Sequence, residues 1–318
     1  MKNRHTSALL GGAIATAQVL FLAGCGSSIT GSSGSTSNGV EITDVGTIND
    51  STKLQTLVPG SVKKTKLRVL ISAPYPPFEM FDSNNQLEGA DVDFAKAIGA
   101  KLGLPTSLNN VDFAGVIPAM QAHRYDIALA GMADTDERQK VLGFIDYVQT
   151  GGSVLVVPKN HPRVTSFTDV CGRSVGVEKG TTYGRTVNYN QKLCTKAGKP
   201  PVKLVTEPTQ ASALLAIQSG SIEALLTGAI PAAVLEKDQP DKVTWVRDPS
   251  SPKGYFDNAD GAMTYSGLGV TKDNKALFEA VYQAARELGA DGTTKKIFTK
   301  WGIGNTVVVP PLKNQGDQ

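Results

Sequence analysis

Three observations place this 318-residue chain in the α/β class, arranged as two lobes of similar size. From residue 66 onward, short apolar runs alternate with amphipathic stretches of ten to sixteen residues, the signature of βα units and a largely parallel sheet. The length predicts roughly two domains at ~100–200 residues each. A fresh βα series begins at residue 174, which suits two lobes better than one large sheet.

The amino terminus reads as an export address. Lys2 and Arg4 precede an apolar run over 8–23, broken only by Gly, Thr16 and Gln18. That run is too short and too rich in small residues for a membrane span, so 1–24 is expected to be a signal peptide. It closes on Leu22-Ala23-Gly24-Cys25, which resembles the bacterial lipoprotein box, and the likeness implies a lipid on Cys25. Ten of the fourteen residues in 26–39 are Gly or Ser, too few apolar groups to offset the entropy of ordering. Residues 40–65 are polar and unperiodic, so 25–65 is expected to be a flexible, lipid-anchored linker.

Composition narrows the function. Without Lys2 and Arg4 the chain carries 30 basic against 29 acidic residues, no electrostatic footprint for nucleic acid. His5, His123 and His161 stand in no metal-ligand spacing, so neither a metal nor a cofactor is expected. In an oxidising compartment Cys171 and Cys194 are expected to form a disulfide. Closing a loop of that length stabilises by roughly 3 kcal/mol.

The elements follow in order. Residues 67–72 form a strand, 90–102 a helix stopped by Gly103, 116–122 a helix with Pro118 in its first turn, and 125–130 a strand; an apolar run spans 153–157. The second series has strands at 174–177, 203–205 and 224–226, helices at 182–197, 211–219 and 229–237, and an extended stretch at 244–246. A final apolar run at 268–270 leads to a long helix over 274–288 and a terminal helix ending near Trp301.

Along this framework lie Tyr75-Pro76-Pro77-Phe78-Glu79, Gly89-Ala90-Asp91-Val92-Asp93-Phe94 and Asp112-Phe113-Ala114-Gly115-Val116. Tyr125-Asp126-Ile127-Ala128, Thr135-Asp136-Glu137-Arg138, Phe144-Ile145-Asp146-Tyr147, Asp291-Gly292-Thr293 and Lys300-Trp301-Gly302 follow. In that order and spacing the chain resembles the polar-amino-acid group, family 3, of the solute-binding proteins that serve ABC importers. The resemblance spans 67–302. It implies the type II periplasmic-binding-protein-like fold: two lobes, each a mixed sheet flanked by helices, joined by two hinge crossings. Lobe 1 would be 66–155 plus 267–302, lobe 2 would be 156–266, and 303–318 a C-terminal tail. Residues 153–157 and 265–269 would be the hinge passages. The implied partners are an amino acid or related small carboxylate and an ABC permease, with the protein a monomer touching the membrane only through its lipid.

The same likeness implies the ligand set. Arg138, in its T-x-x-R turn, would take the ligand carboxylate through a bidentate fork that stays charged at any working pH. Ala133 and Thr182 match further donors, Thr182 at a helix start where backbone N–H groups favour an anion. Gly131 matches a carbonyl acceptor for the ammonium, and Tyr75 and Phe113 match aromatic walls. One position departs from the pattern: Gly228 stands where the family usually places an Asp for the ammonium. Glu178, an Asp within 257–260, or a ligand without a free α-ammonium would each resolve this. Ser72 replaces an acid of some relatives, which argues against a strongly cationic ligand side chain. Two alternatives share the scaffold: a dehydratase of the cyclohexadienyl type, with Glu178 as proton donor, and a sensory lipoprotein.

Overall fold

The structure, a computed structural model, describes residues 39–161, 164–247 and 265–316. The expected signal peptide and Cys25 lie outside these residues, as do Asp257 and Asp260.

The described chain opens with a hairpin of β1 (Val40–Ile42) and β2 (Gly46–Ile48) and two short helices, α1 (Thr52–Leu57) and α2 (Gly60–Lys63). Then come β3 (Leu67–Ile71), the small hairpin β4 (Met80–Phe81) and β5 (Leu87–Glu88), α3 (Ala90–Lys101) and β6 (Thr106–Asn110). Next are α4 (Val116–Gln121), β7 (Ile127–Ala128), α5 (Asp136–Gln139) and β8 (Leu142–Gln149). Beyond a crossing lie β9 (Ser153–Pro158), β10 (Ser174–Glu178), α6 (Tyr183–Lys196), β11 (Lys203–Glu207), α7 (Gln210–Ser219), β12 (Ala224–Gly228), α8 (Ala229–Asp238) and β13 (Val243–Val246). The chain ends with β14 (Tyr265–Thr271), α9 (Lys275–Ala290), α10 (Thr293–Lys300) and β15 (Val307–Lys313).

Lobe 1 is a six-stranded mixed sheet in the order β15-β8-β14-β7-β3-β6. β3 runs parallel to β6 and β7, while β14 and β15 join antiparallel to β8. α9 buries Leu277, Ala280, Val281, Ala284 and Leu288, the 3-4 spacing of one apolar face. α3 starts with Asp91 and Asp93 and ends with Lys101, matching the helix dipole. Phe94, Tyr147 and Phe298 close the core with ring centroids 5.2–5.7 Å apart.

Lobe 2 is a five-stranded mixed sheet, β11-β10-β12-β9-β13. One face packs Val175, Val177 and Leu226 against Val187 and Cys194 of α6; the other packs Val154, Val156 and Leu225 against α7 and α8. β12 is buried at all five positions, so it lacks the alternation of a half-covered strand. Cys171 and Cys194 are joined in a disulfide, their Cα atoms 5.5 Å apart.

The boundaries differ from expectation in three places. Residues 40–65 are not a linker throughout: Ile42, Ile48, Leu54, Val58 and Val62 are buried in the lobe 1 core. Single apolar residues on short elements carry no periodicity, yet together they pack against α3 and α9. The tail over 303–318 is not separate from lobe 1, since β15 forms its outer strand. The expected hinge segments are strands: Ser153 and Leu155 pair with Gly228 and Leu226 in lobe 2, and Tyr265 pairs with Gln149 in lobe 1. The first crossing is Thr150-Gly151-Gly152, whose glycines adopt φ of 86° and 110°, open to rotation where other residues are strained. The return crossing lies between β13 and β14, largely outside the described residues.

Candidate functional site

A cleft lies between the lobes, and all eight residues expected from the sequence line it. Lobe 1 supplies Ser72, Tyr75, Phe113, Gly131, Ala133 and Arg138; lobe 2 supplies Glu178 and Thr182. Gly228, the departing position, lines it too.

Arg138 sits in the one-turn helix α5, whose N-cap Thr135 accepts from the Arg138 N–H through its hydroxyl at 3.2 Å. The preceding loop is stitched to β14: Ala133 bridges Ser266, and Asp134 N–H donates to the Tyr265 carbonyl at 2.9 Å. The guanidinium is buried. Its Nη1 donates to the Ala133 carbonyl at 2.8 Å and its Nη2 crosses the cleft to the Gly180 carbonyl at 3.2 Å. Its Cζ lies over the Phe113 ring, 5.2 Å from the centroid. A buried guanidinium on an aromatic face is poorly hydrated, and its planar fork has the chemistry to receive a carboxylate.

Gly131 adopts φ of 51°, and a Cβ there would lie 2.7 Å from the Tyr75 ring, so only glycine lets the ring wall the cleft. Its N–H donates to Asp91 Oδ2 at 3.0 Å, which turns the peptide. Behind it Asp91 also accepts from the Tyr147 hydroxyl at 2.7 Å. Burial pushes Asp91 up to about 6, against those two bonds, and raises its neighbour Glu79 well above the carboxylate range.

From lobe 2, β10 ends at Glu178 and α6 begins after Thr182. Glu178 Oε1 accepts from the Gln210 N–H that opens α7, at 3.1 Å. Burial lifts this carboxyl to about 7; the Gln210 bond opposes the rise and the nearby Asp112 charge adds to it.

Tyr183 is a cleft residue that the sequence did not single out. Its hydroxyl lies 2.7 Å from that of Tyr75, joining the lobes, and burial raises both phenols. A Cβ on residue 228 would fall 2.6 Å from Tyr75 Oη and 3.1 Å from Tyr183 Oη. The tyrosine pair thus fills the space that a side chain at 228 would take. The available signal was adjacency to Thr182; the pairing itself depends on residues 108 positions apart. Ser153, Ile230, Pro231 and Ser266 are among the other lining residues.

Comparison with known proteins places this geometry. The sequence profile of the bacterial extracellular solute-binding proteins, family 3, matches residues 67–304. ABC transporter arginine-binding protein 1 of Escherichia coli K12 is 28% identical over 242 residues, covering 76% of this chain and 93% of that protein. Among solved structures, an ancestral arginine-binding protein bound to arginine superposes with a TM-score of 0.62 at 33% identity, over 74% of this chain and 97% of that one. An ancestral arginine-binding protein bound to glutamine gives 0.62 at 32% identity, over 74% and 97%.

Proposed function

The chain belongs to the bacterial extracellular solute-binding proteins, family 3, and from that premise we propose that its cleft captures an amino acid and presents it, lobes closed, to an ABC permease. The observation that carries this reading is the presence in one cleft of a buried guanidinium from lobe 1 and a buried carboxyl from lobe 2. A zwitterion requires both, because each end would otherwise be a buried unpaired charge. Arg138 takes the carboxylate, with backbone donors at Ala133 and at the start of α6 near Thr182. Glu178 takes the ammonium in place of the Asp that Gly228 lacks, assisted by the Gly131 carbonyl. Tyr75 and Phe113 wall the aliphatic part.

The ligand acts by bonding to both lobes at once, which shifts an open–closed equilibrium toward the form a permease recognises. No bond in the solute is made or broken. Cys25 carries the lipid that holds the protein at the membrane. The test is calorimetry on protein stripped of ligand by unfolding and refolding, titrated with the twenty amino acids. At least one is expected to bind with a Kd of about 1 μM or tighter. Absence of binding across the whole set contradicts the reading.

A further inference from the structure

The charge ledger of the cleft points past the class of solute to its side chain. Among the described lining residues Arg138 is the one cation and Glu178 the one anion; Ser72, Tyr75, Phe113 and Tyr183 are neutral. A zwitterion with an uncharged side chain closes this ledger. Arginine or lysine adds a second cation that must be desolvated, with no second carboxylate among the described lining residues to meet it.

The neighbouring acids do not fill that role. Glu79 and Asp91 are fully buried and do not line the cleft, and Asp91 is bonded to Tyr147 and to the Gly131 N–H. Asp112 is exposed and lies outside the lining. Position 228 cannot supply an acid, because Tyr75 Oη and Tyr183 Oη occupy the space into which its side chain would project. Beneath that pair the groups are again neutral, with Gln210 Nε2 donating to Thr227 Oγ1 at 3.0 Å.

We propose that the cleft selects amino acids with uncharged side chains and rejects arginine and lysine, with Tyr183 over Gly228, and Ser72, as the selecting residues. This rests on the amino-acid reading above and departs from the ligand in the name of the E. coli relative.

The test titrates stripped wild-type protein with L-glutamine, L-serine, L-leucine, L-arginine and L-lysine, and a Ser72→Asp variant with the same set. The tightest neutral amino acid is expected to bind wild type at least about 100-fold more tightly than arginine or lysine. Ser72→Asp supplies the second carboxylate and is expected to shift the arginine-to-neutral ratio at least about tenfold toward arginine. Arginine or lysine binding wild type within tenfold of the best neutral amino acid overturns the selection while leaving amino-acid capture standing. A folded Ser72→Asp protein with an unchanged ratio also overturns it. Failure of all five to bind, together with the rest of the twenty, removes the amino-acid reading and this inference with it.

Discussion

Glu178 is the residue whose chemistry is most open to measurement. Its carboxyl is lifted to about 7 by burial, so near neutrality the cleft is divided between protonated and ionised forms. A ligand ammonium set against it would favour the ionised form, so binding is expected to expel a proton. Affinity for an amino acid is therefore expected to rise about tenfold from pH 6 to pH 8 and then level. Calorimetry in buffers of different ionisation enthalpy reads both the slope and the released proton, and Glu178→Gln should abolish both. At this scale much of the site was legible: the eight residues read from motifs converge on one cleft. Tyr183 was not, because a tyrosine at a helix start is unremarkable until the fold sets it against Tyr75. Gly228 was visible as a departure, but the reason for it, two hydroxyls in its space, lies in the tertiary structure.

The elements carry the next lesson in the tail that follows Trp301. β15 leads into Asn314, whose Oδ1 accepts from the Phe144 N–H at 2.7 Å. The Gln315 and Gly316 N–H groups then donate to Asp146 Oδ2 at 3.2 Å and Asp134 Oδ2 at 2.9 Å. Both acids are buried, Asp134 within the loop that presents Ala133 and Arg138, and burial with the Asp134 charge lifts Asp146 to about 7. Deleting 314–318 strips donors from two buried carboxylates. It is expected to cost about 2–4 kcal/mol in denaturant unfolding and to speed amide exchange across 131–139. Little of this could be read beforehand. Val307-Val308-Val309-Pro310-Pro311 has two prolines that argue against a central strand, and it is an outer one. The β6 segment Thr106-Ser107-Leu108-Asn109-Asn110 has no alternation, and the parallel pairing with β3 forms it. By contrast α3, α6, α9 and β10 fall within a few residues of their expected bounds: α6 and α9 bury one continuous face, and α3 and β10 are largely apolar runs buried at nearly every position.

At the scale of the whole molecule the buried acids set a pH signature. Asp91 at about 6, Asp146 and Glu178 at about 7, and Glu79 above the carboxylate range all hold protons that the unfolded chain releases near pH 4. Between pH 4 and 7 the folded state binds more protons, so stability is greatest at the acidic side of that window and falls as pH rises through 7. Asp169, Glu279 and Asp291 are shifted downward by their hydrogen bonds and act only at lower pH. Scanning calorimetry is expected to show a Tm lower at pH 8 than at pH 5 by at least about 5 °C; the opposite order would mean that these acids are ionised in the folded protein.

Closure of the two lobes on a solute carboxylate through Arg138 is the claim on which the functional account rests. The measurement that tests it most directly is the affinity of stripped wild-type protein and of Arg138→Ala for the amino acid that wild type binds most tightly. A loss of at least about 100-fold, with the fold retained by circular dichroism, is the predicted result. Equal affinity in the two proteins would show that the carboxylate is held elsewhere and would contradict the account.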